Sequence, residues 1–388
     1  MSKVLVVIGT RPEAIKLAPV IKQLGCFPDC FQVCVCVTAQ HRDMLDQVLS
    51  IFNIVPDIDL NLMQEKQTPT RVAARILFHM EEVLLTHKPD WVLIQGDTTT
   101  VLATAIAAHY QRIRIGHVEA GLRTGDRWNP FPEEMNRVVA DALSDLHFVP
   151  TDLARQNLLC EGIDPACIFI TGNTVIDALL NVASSSWKPQ SGAPVDMIIQ
   201  NRQSQNGKRL ILVTAHRREN FGKPLETICD ALIALSRRDD VRIVYAVHPN
   251  PNVKDVVYPR LSANMNIELL PPLDYRELVY LLKHSALVLT DSGGLQEEAP
   301  SLGVPVLILR QKTERPEAVV AGTARVVGTD KDQIVGEVTR LLDDPQAYSR
   351  MARSVNPYGY GNAAERIVKT WMDTSDETYF KISSANLG

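Results

Sequence analysis

No stretch of this sequence approaches the roughly 20 consecutive apolar residues that a membrane-spanning helix requires. The opening run MSKVLVVIGTRPEAIK reaches charged residues too soon for a secretory leader, so the chain reads as cytoplasmic. Basic excess is also missing. The formal net charge is -5, which leaves nucleic acid without the basic footprint it usually needs. The cysteines, 7 in number, are odd in count and follow no disulfide-dense pattern. Four of them, Cys26, Cys30, Cys34 and Cys36, lie close together. Cys34 and Cys36 fall in an apolar strand and share one face, whereas structural zinc prefers closely paired cysteines at a turn. Small buried thiols are the better reading, and no metal is expected.

What is present suits two domains better than one: 388 residues, 45% hydrophobic and 22% charged. Short apolar runs at 4–8, 31–37, 91–95, 113–118, 146–149 and 168–171 read as buried strands. Helical patterns at 13–24, 70–86 and 99–109 lie between them. Strands apolar throughout, separated by helices, argue for a parallel sheet covered on both faces. The segment 184–207 is rich in Ser, Pro, Gln, Asn and Gly and reads as a loop near a domain junction. A second series follows, with strands at 210–214, 241–247, 267–270, 287–290, 304–309 and 324–327 and helices at 225–237, 275–283 and 292–302. Two or three helices come after Asp330, the last near 363–373 beyond a Pro-Tyr-Gly-Tyr-Gly turn. The pattern predicts an α/β protein of two doubly wound Rossmann-like domains facing a central cleft. In such sheets ligands bind at the carboxyl ends of strands.

The residues at those ends carry the chemistry. Gly9-Thr10-Arg11-Pro12-Glu13-Ala14-Ile15-Lys16 is not the GxGxxG fingerprint, so a nicotinamide cofactor loses support. It places Arg11 and Lys16 either as an anion site or as two surface cations. In Gln95-Gly96-Asp97-Thr98 the aspartate either caps the next helix or presents a carboxylate. Glu119 stands at the end of the next strand. Glu133 and Glu134 open a helix after a Pro- and aromatic-rich loop, where the helix dipole alone could favour one of them. In the second half, His216 is followed by Arg217 and Arg218 at a strand end. Gly222-Lys223-Pro224 is not a P-loop. Ser292-Gly293-Gly294 leads from a buried strand into a helix, either as a simple cap or as a helix start whose free amides receive an anion. Glu298 lies a turn further in, where a ribose diol would be its natural partner, and Arg315 supplies another cation at a helix start.

In order and spacing, GTRPEAIKLAP, QGDTTT, HVEAGLRT, NPFPEEMNR, TGNTVID, TAHRREN and DSGGLQEE resemble the non-hydrolysing UDP-N-acetylglucosamine 2-epimerase family, from about Val4 to the last helix. The resemblance implies a glycosyltransferase B type fold. Its first domain would be 1–172 with a returning segment 361–388, and its second 173–360. It implies a homodimer with no cofactor and with UDP-GlcNAc or UDP-ManNAc as substrate. By resemblance Asp97, Glu119, Glu133 and His216 are catalytic. Arg11, Lys16, Ser292, Gly293, Gly294, Glu298 and Arg315 join Asp97, Glu119 and His216 in binding substrate. Gln40, His41, Gln67, Glu134, Arg217 and His248 lie in segments resembling an activating UDP-GlcNAc position, although Asp43 and Lys66 depart from the expected pattern there.

The implied reaction explains the residue types. The sugar C2–H is not adjacent to a carbonyl, so simple deprotonation is prohibitive and elimination of UDP to a glycal remains. That route needs carboxylates around the ring and cations at the diphosphate. The rivals are a hydrolysing epimerase that releases ManNAc and UDP, a UDP-sugar glycosyltransferase, and a catalytically inactive nucleotide-sugar sensor. The epimerase product would supply ManNAc for a bacterial surface polysaccharide.

Overall fold

The computed structural model describes residues 1–38, 42–62, 67–204 and 207–374. The chain forms two compact units, Met1–Ala178 with the segment from Tyr358 onward, and Leu179–Pro357. The first runs β1 (Ser2–Ile8), α1 (Arg11–Leu24), β2 (Phe31–Val37), α2 (Arg42–Ile51), β3 (Ile58–Asp59), α3 (Pro69–His87), β4 (Trp91–Gln95) and α4 (Thr99–Tyr110). It continues with β5 (Arg114–Val118), α5 (Glu133–Leu143), β6 (Leu146–Val149), α6 (Asp152–Cys160), β7 (Ile168–Ile170) and α7 (Thr174–Ser184), which crosses into the second unit.

The second unit runs α8 (Pro194–Ser204), β8 (Arg209–Thr214), α9 (Lys223–Leu235), β9 (Val241–Ala246), α10 (Pro251–Leu261), β10 (Ile267–Leu270) and α11 (Tyr275–His284). Then come β11 (Leu287–Thr290), α12 (Gly293–Ser301), β12 (Val306–Ile308), α13 (Pro316–Val320), β13 (Ala324–Val326), α14 (Lys331–Asp343) and α15 (Pro345–Ala352). Last is α16 (Ala363–Thr374), in the first unit.

Both sheets are parallel throughout and share one winding. Their orders are β3-β2-β1-β4-β5-β6-β7 and β10-β9-β8-β11-β12-β13. In each, the order reverses between the first strand of the unit and the fourth. A crevice therefore opens at the carboxyl ends of β1 and β4 in one sheet and of β8 and β11 in the other. Central strands are buried on both faces, as a helix-covered parallel sheet requires. Val6 in β1, for example, is aligned with Val35 in β2 and Leu93 in β4, and all three are buried.

The last helix returns to the first unit for a packing reason. Trp371 of α16 is fully buried, with its ring centroid 5.2 Å from Trp91, 5.9 Å from Phe31 and 6.2 Å from Phe148. Asp177 of α7 accepts the N–H groups of Ala363 and Ala364 at 3.1 and 2.9 Å, which satisfies two free donors at the start of α16.

One expected loop is wrong in part. Segment 184–207 contains the helix α8, opened by Pro194, with Val195, Ile198 and Ile199 buried at the i, i+3, i+4 spacing. Polar residues dominate the composition of the segment, which hid the apolar stripe. β3, two residues long, gives no pattern to read. No helix among the described residues is long and apolar enough to cross a membrane. Cys36 is buried and Cys34 partly so, and both are free thiols.

Candidate active site

In the first unit the centre of the site is Glu119. It follows β5 at φ 64, a left-handed conformation that costs a non-glycine residue energy. Its side chain is 3% exposed and clamped by three donors. Lys16 Nζ lies 2.5 Å and Asn173 Nδ2 3.0 Å from Oε1, while Gln95 Nε2 lies 2.5 Å from Oε2. Lys16 is therefore engaged by a carboxylate. Gln95 ends β4 and Asn173 precedes α7, so three separate elements aim at one carboxylate.

Asp97 is tied to the same group. Arg137 of α5 donates to Asp97 Oδ2 at 2.5 Å and, through its other terminal nitrogen, to the Glu119 carbonyl. Asn136 donates to the Asp97 carbonyl at 2.9 Å. The capping role belongs to Thr98, whose hydroxyl accepts the Val101 N–H of α4. The Asp97 side chain is left 31% exposed, within reach of a ligand. Arg11 begins α1 at the neighbouring strand end.

Below this lies a buried polar support. His117 Nδ1 is 2.6 Å from Asp141 Oδ1, and its Nε2 is 2.8 Å from the Gly96 carbonyl. Burial opposes ionisation of Asp141, but His117, Arg123 and His147 outweigh it and hold the carboxyl well below the usual range. Glu133 and Glu134 both sit in the first turn of α5. Glu134 is buried and accepts the N–H groups of Thr124 and Gly125 at 2.9 to 3.1 Å, so its carboxylate braces the loop before the helix. Glu133 is partly exposed.

In the second unit Asp291, fully buried after β11, organises the loop after β8. Its Oδ2 accepts the His216 and Arg217 N–H groups at 2.8 Å each and the Asn220 amide at 2.9 Å. Its Oδ1 lies 3.4 Å from His216 Nδ1. The His216 imidazole also stacks on His248, with centroids 5.2 Å apart and rings 16° from parallel. Burial lowers the His216 pKa; Asp291 opposes that, while Arg217 and His248 add to it.

Ser292 precedes α12 and makes no side-chain cap, and its own N–H donates to Thr290 Oγ1 at 2.9 Å, so the amides the helix start can present are those of Gly293 and Gly294. Two guanidiniums converge there. A Cβ built on Gly293 would lie 3.8 Å from an Arg217 terminal nitrogen and 3.9 Å from the Arg315 guanidinium carbon. Arg315 is held by buried Glu297. A helix dipole, helix-start amides and two guanidiniums on one point form an arrangement that can receive an anion of the diphosphate type. Glu298 is buried deeper and accepts the Tyr275 hydroxyl at 2.9 Å.

Arg217, expected among the effector residues, lies beside Arg315 at Gly293. Gln67 donates to the Leu62 carbonyl at 3.2 Å, and Gln40 and His41 lie outside the described residues. Residue patterns missed Gln95, Arg137, Asn173 and Asp291. Each lies inside a motif block already singled out, and Asp291 holds the same first-after-strand position that marked Glu119.

Two Rossmann-like doubly wound units in one chain, with an anion-receptive helix start at the switch point of the second, define an α/β protein of the glycosyltransferase B type. The family model described as UDP-N-acetylglucosamine 2-epimerase matches residues 28–372. The UDP-N-acetylglucosamine 2-epimerase of Escherichia coli K12 is 54% identical over 373 residues, 95% of this chain and 97% of that one. Among solved structures, UDP-GlcNAc 2-epimerase from Neisseria meningitidis bound to UDP-GlcNAc superposes with a TM-score of 0.87 at 45% identity, covering 96% of this chain and 100% of that one. S. aureus MnaA, solved with UDP, gives a TM-score of 0.86 at 44% identity over 97% of this chain and 98% of its own. The chain belongs to the UDP-N-acetylglucosamine 2-epimerase family.

Proposed function

We propose that this chain is a non-hydrolysing epimerase that interconverts UDP-GlcNAc and UDP-ManNAc at C2. The observation that carries the reading is the three-donor clamp on Glu119, with Asp97 joined to it through Arg137. Preorganised carboxylates at a strand-end crevice are what proton transfer at a sugar ring demands.

In the proposed path a carboxylate of the set Asp97, Glu119 and Glu133 takes the C2 proton. The C–H electron pair becomes the C1=C2 bond, and the C1–O bond breaks with its electrons leaving on UDP. The products of this half-reaction are 2-acetamidoglucal and UDP. Re-addition of UDP to C1 with protonation of C2 on the opposite face completes the inversion. The same carboxylates steady the positive charge that develops at C1. Arg315, Arg217, His216, Arg11 and the amides of Gly293 and Gly294 take up charge on the departing diphosphate, a role the convergence at Gly293 supports, while the Ser292 N–H is held by Thr290. Lys16 serves Glu119 rather than phosphate.

The same reading has the chain working as a homodimer and taking UDP-GlcNAc as activator near Gln67, Glu134 and His248. The stack of His248 on His216 supports a link from such a position to the chemistry. The product would serve synthesis of a surface polysaccharide.

The test is incubation of purified protein with UDP-GlcNAc alone, followed by chromatography of the products. UDP-ManNAc with no free sugar is expected. Free ManNAc with stoichiometric UDP would replace this reading with the hydrolysing one.

A further inference from the structure

Glu13 lies in the first turn of α1 and is 2% exposed. Its Oε2 accepts the Gly9 N–H at 2.5 Å. Its Oε1 accepts the hydroxyls of Thr98 at 2.7 Å and Thr10 at 3.2 Å. Gly9 and Thr10 form the turn that leads to Arg11 and Lys16. Thr98 directly follows Asp97 and caps α4. One buried carboxylate thus fastens the turn after β1 to the turn after β4, across the point where the strand order reverses.

This placement is costly. Burial pushes the Glu13 carboxyl up to about 7, against the hydrogen bonds from Thr98, Gly9 and Thr10, which pull it down. The groups that face it are neutral: Gly9 and Thr10 from its own turn and Thr98 from the turn before α4. The charged residues of those two turns are Arg11 and Lys16 on α1 and Asp97 before α4, and burial and the hydrogen bonds to Gly9, Thr10 and Thr98 are the largest influences on the shift. A residue present only for packing would not be an ionisable one in an uncharged pocket.

We propose that Glu13 is a positioning residue of the epimerase reaction, whose carboxylate fixes Asp97 in register with the Lys16–Glu119 pair. The inference deepens the function proposed above and rests on it. Glu13 touches no substrate; it acts through Thr98 and the Gly9 turn. All three of its partners donate, so the ionised form is the ordering form. Protonation puts a donor on one oxygen, so a threonine hydroxyl on Oε1 must turn round to accept and the Thr98 contact is reoriented. Turnover should therefore rise as pH increases through neutrality, with little change in nucleotide binding at the Ser292–Gly294 helix start.

The experiment compares the wild-type chain with Glu13→Gln, Thr98→Val and the double variant. kcat and KM for UDP-GlcNAc are measured between about pH 5.5 and 9, with UDP affinity by calorimetry and thermal midpoint at pH 8. Glu13→Gln should lose about tenfold or more in kcat at pH 8, lose the acid limb of the profile, and keep UDP affinity and thermal stability. Thr98→Val should reproduce the kcat loss, and the double variant should be no worse than either single one. Wild-type kcat with an unchanged acid limb in Glu13→Gln would overturn the proposal. So would additive losses, or a kcat loss that merely tracks a lowered thermal midpoint. Absence of UDP-ManNAc from the wild-type reaction is a different result, which removes the epimerase reading itself.

Discussion

Asp291 holds His216 twice over: one carboxylate oxygen accepts the His216 backbone N–H at 2.8 Å, and the other lies 3.4 Å from the ring Nδ1. The carboxylate is buried, so it sets both where the imidazole sits and how readily it stays charged. Burial lowers the His216 pKa and Asp291 raises it. Removing the negative charge leaves the lowering terms in control, so the imidazolium is lost at lower pH. In Asp291→Asn, the alkaline limb of kcat/KM should therefore move to lower pH. The variant should also bind UDP more weakly as the Arg217 backbone is released. A pH profile over the neutral range checks the sign; an unchanged limb would show that His216 does not act as a cation.

Glu119→Gln keeps the shape of the clamp but removes the charge. Turnover should fall by about 10² to 10⁴, the range attributed to a positioned acid or base. UDP affinity, assigned in the proposal to the start of α12, should stay within about threefold. Single-turnover kinetics beside UDP calorimetry separates the two effects. Near-normal turnover would remove Glu119 from the chemistry.

The Glu13 carboxyl also makes a stability prediction with a definite sign. In the unfolded chain it ionises near 4.5 and in the folded protein near 7, so the fold binds the extra proton between those values. Its contribution to stability is highest at or below pH 4.5 and is lost as pH rises through 7. A shift of that size corresponds to about 3 kcal/mol. The stability of Glu13→Gln relative to wild type should therefore improve between pH 5 and pH 8 by about that amount. Denaturant melts at several pH values measure it directly.

Two glycines with the same backbone sign should respond differently to alanine. Gly121 and Gly125 have φ of 78 and 76. At Gly121 a Cβ would also meet the Ala154 carbonyl oxygen at 2.3 Å, whereas at Gly125 nothing lies within 4 Å. Gly125→Ala should cost about 1 to 2 kcal/mol of backbone strain. Gly121→Ala adds a backbone clash and should cost at least about 3 kcal/mol. Equal thermal shifts would contradict the geometry.

Much of the fold was readable because strands such as β2, β4 and β11 are apolar but for a single polar residue each, and their edges coincide with the apolar runs. α8 was not, since eight of its eleven residues are outside the Val195, Ile198, Ile199 stripe and mask it. The site divides along similar lines. Asp97 and Glu119 stood out as charges within two residues of the ends of apolar strands. Gln95 and Asn173 are neutral amides whose role exists only through the carboxylate they meet across the fold. Glu13 drew no attention in the sequence; it occupies a first-turn position that the helix dipole favours for any acid, and only burial distinguishes it. Arg217 shows the reverse problem: the motif marks it, but its proximity to the Arg315 guanidinium at Gly293 appears only in the fold.

The central claim is C2 inversion by loss and return of a proton. It is tested most directly by incubating the protein with UDP-GlcNAc in D2O and following the products by proton NMR. The account predicts UDP-ManNAc carrying deuterium at C2, deuterium appearing in recovered UDP-GlcNAc as equilibrium is approached, and little free sugar. UDP-ManNAc that retains its C2 proton would contradict elimination to the glycal, and unchanged UDP-GlcNAc would contradict epimerisation altogether.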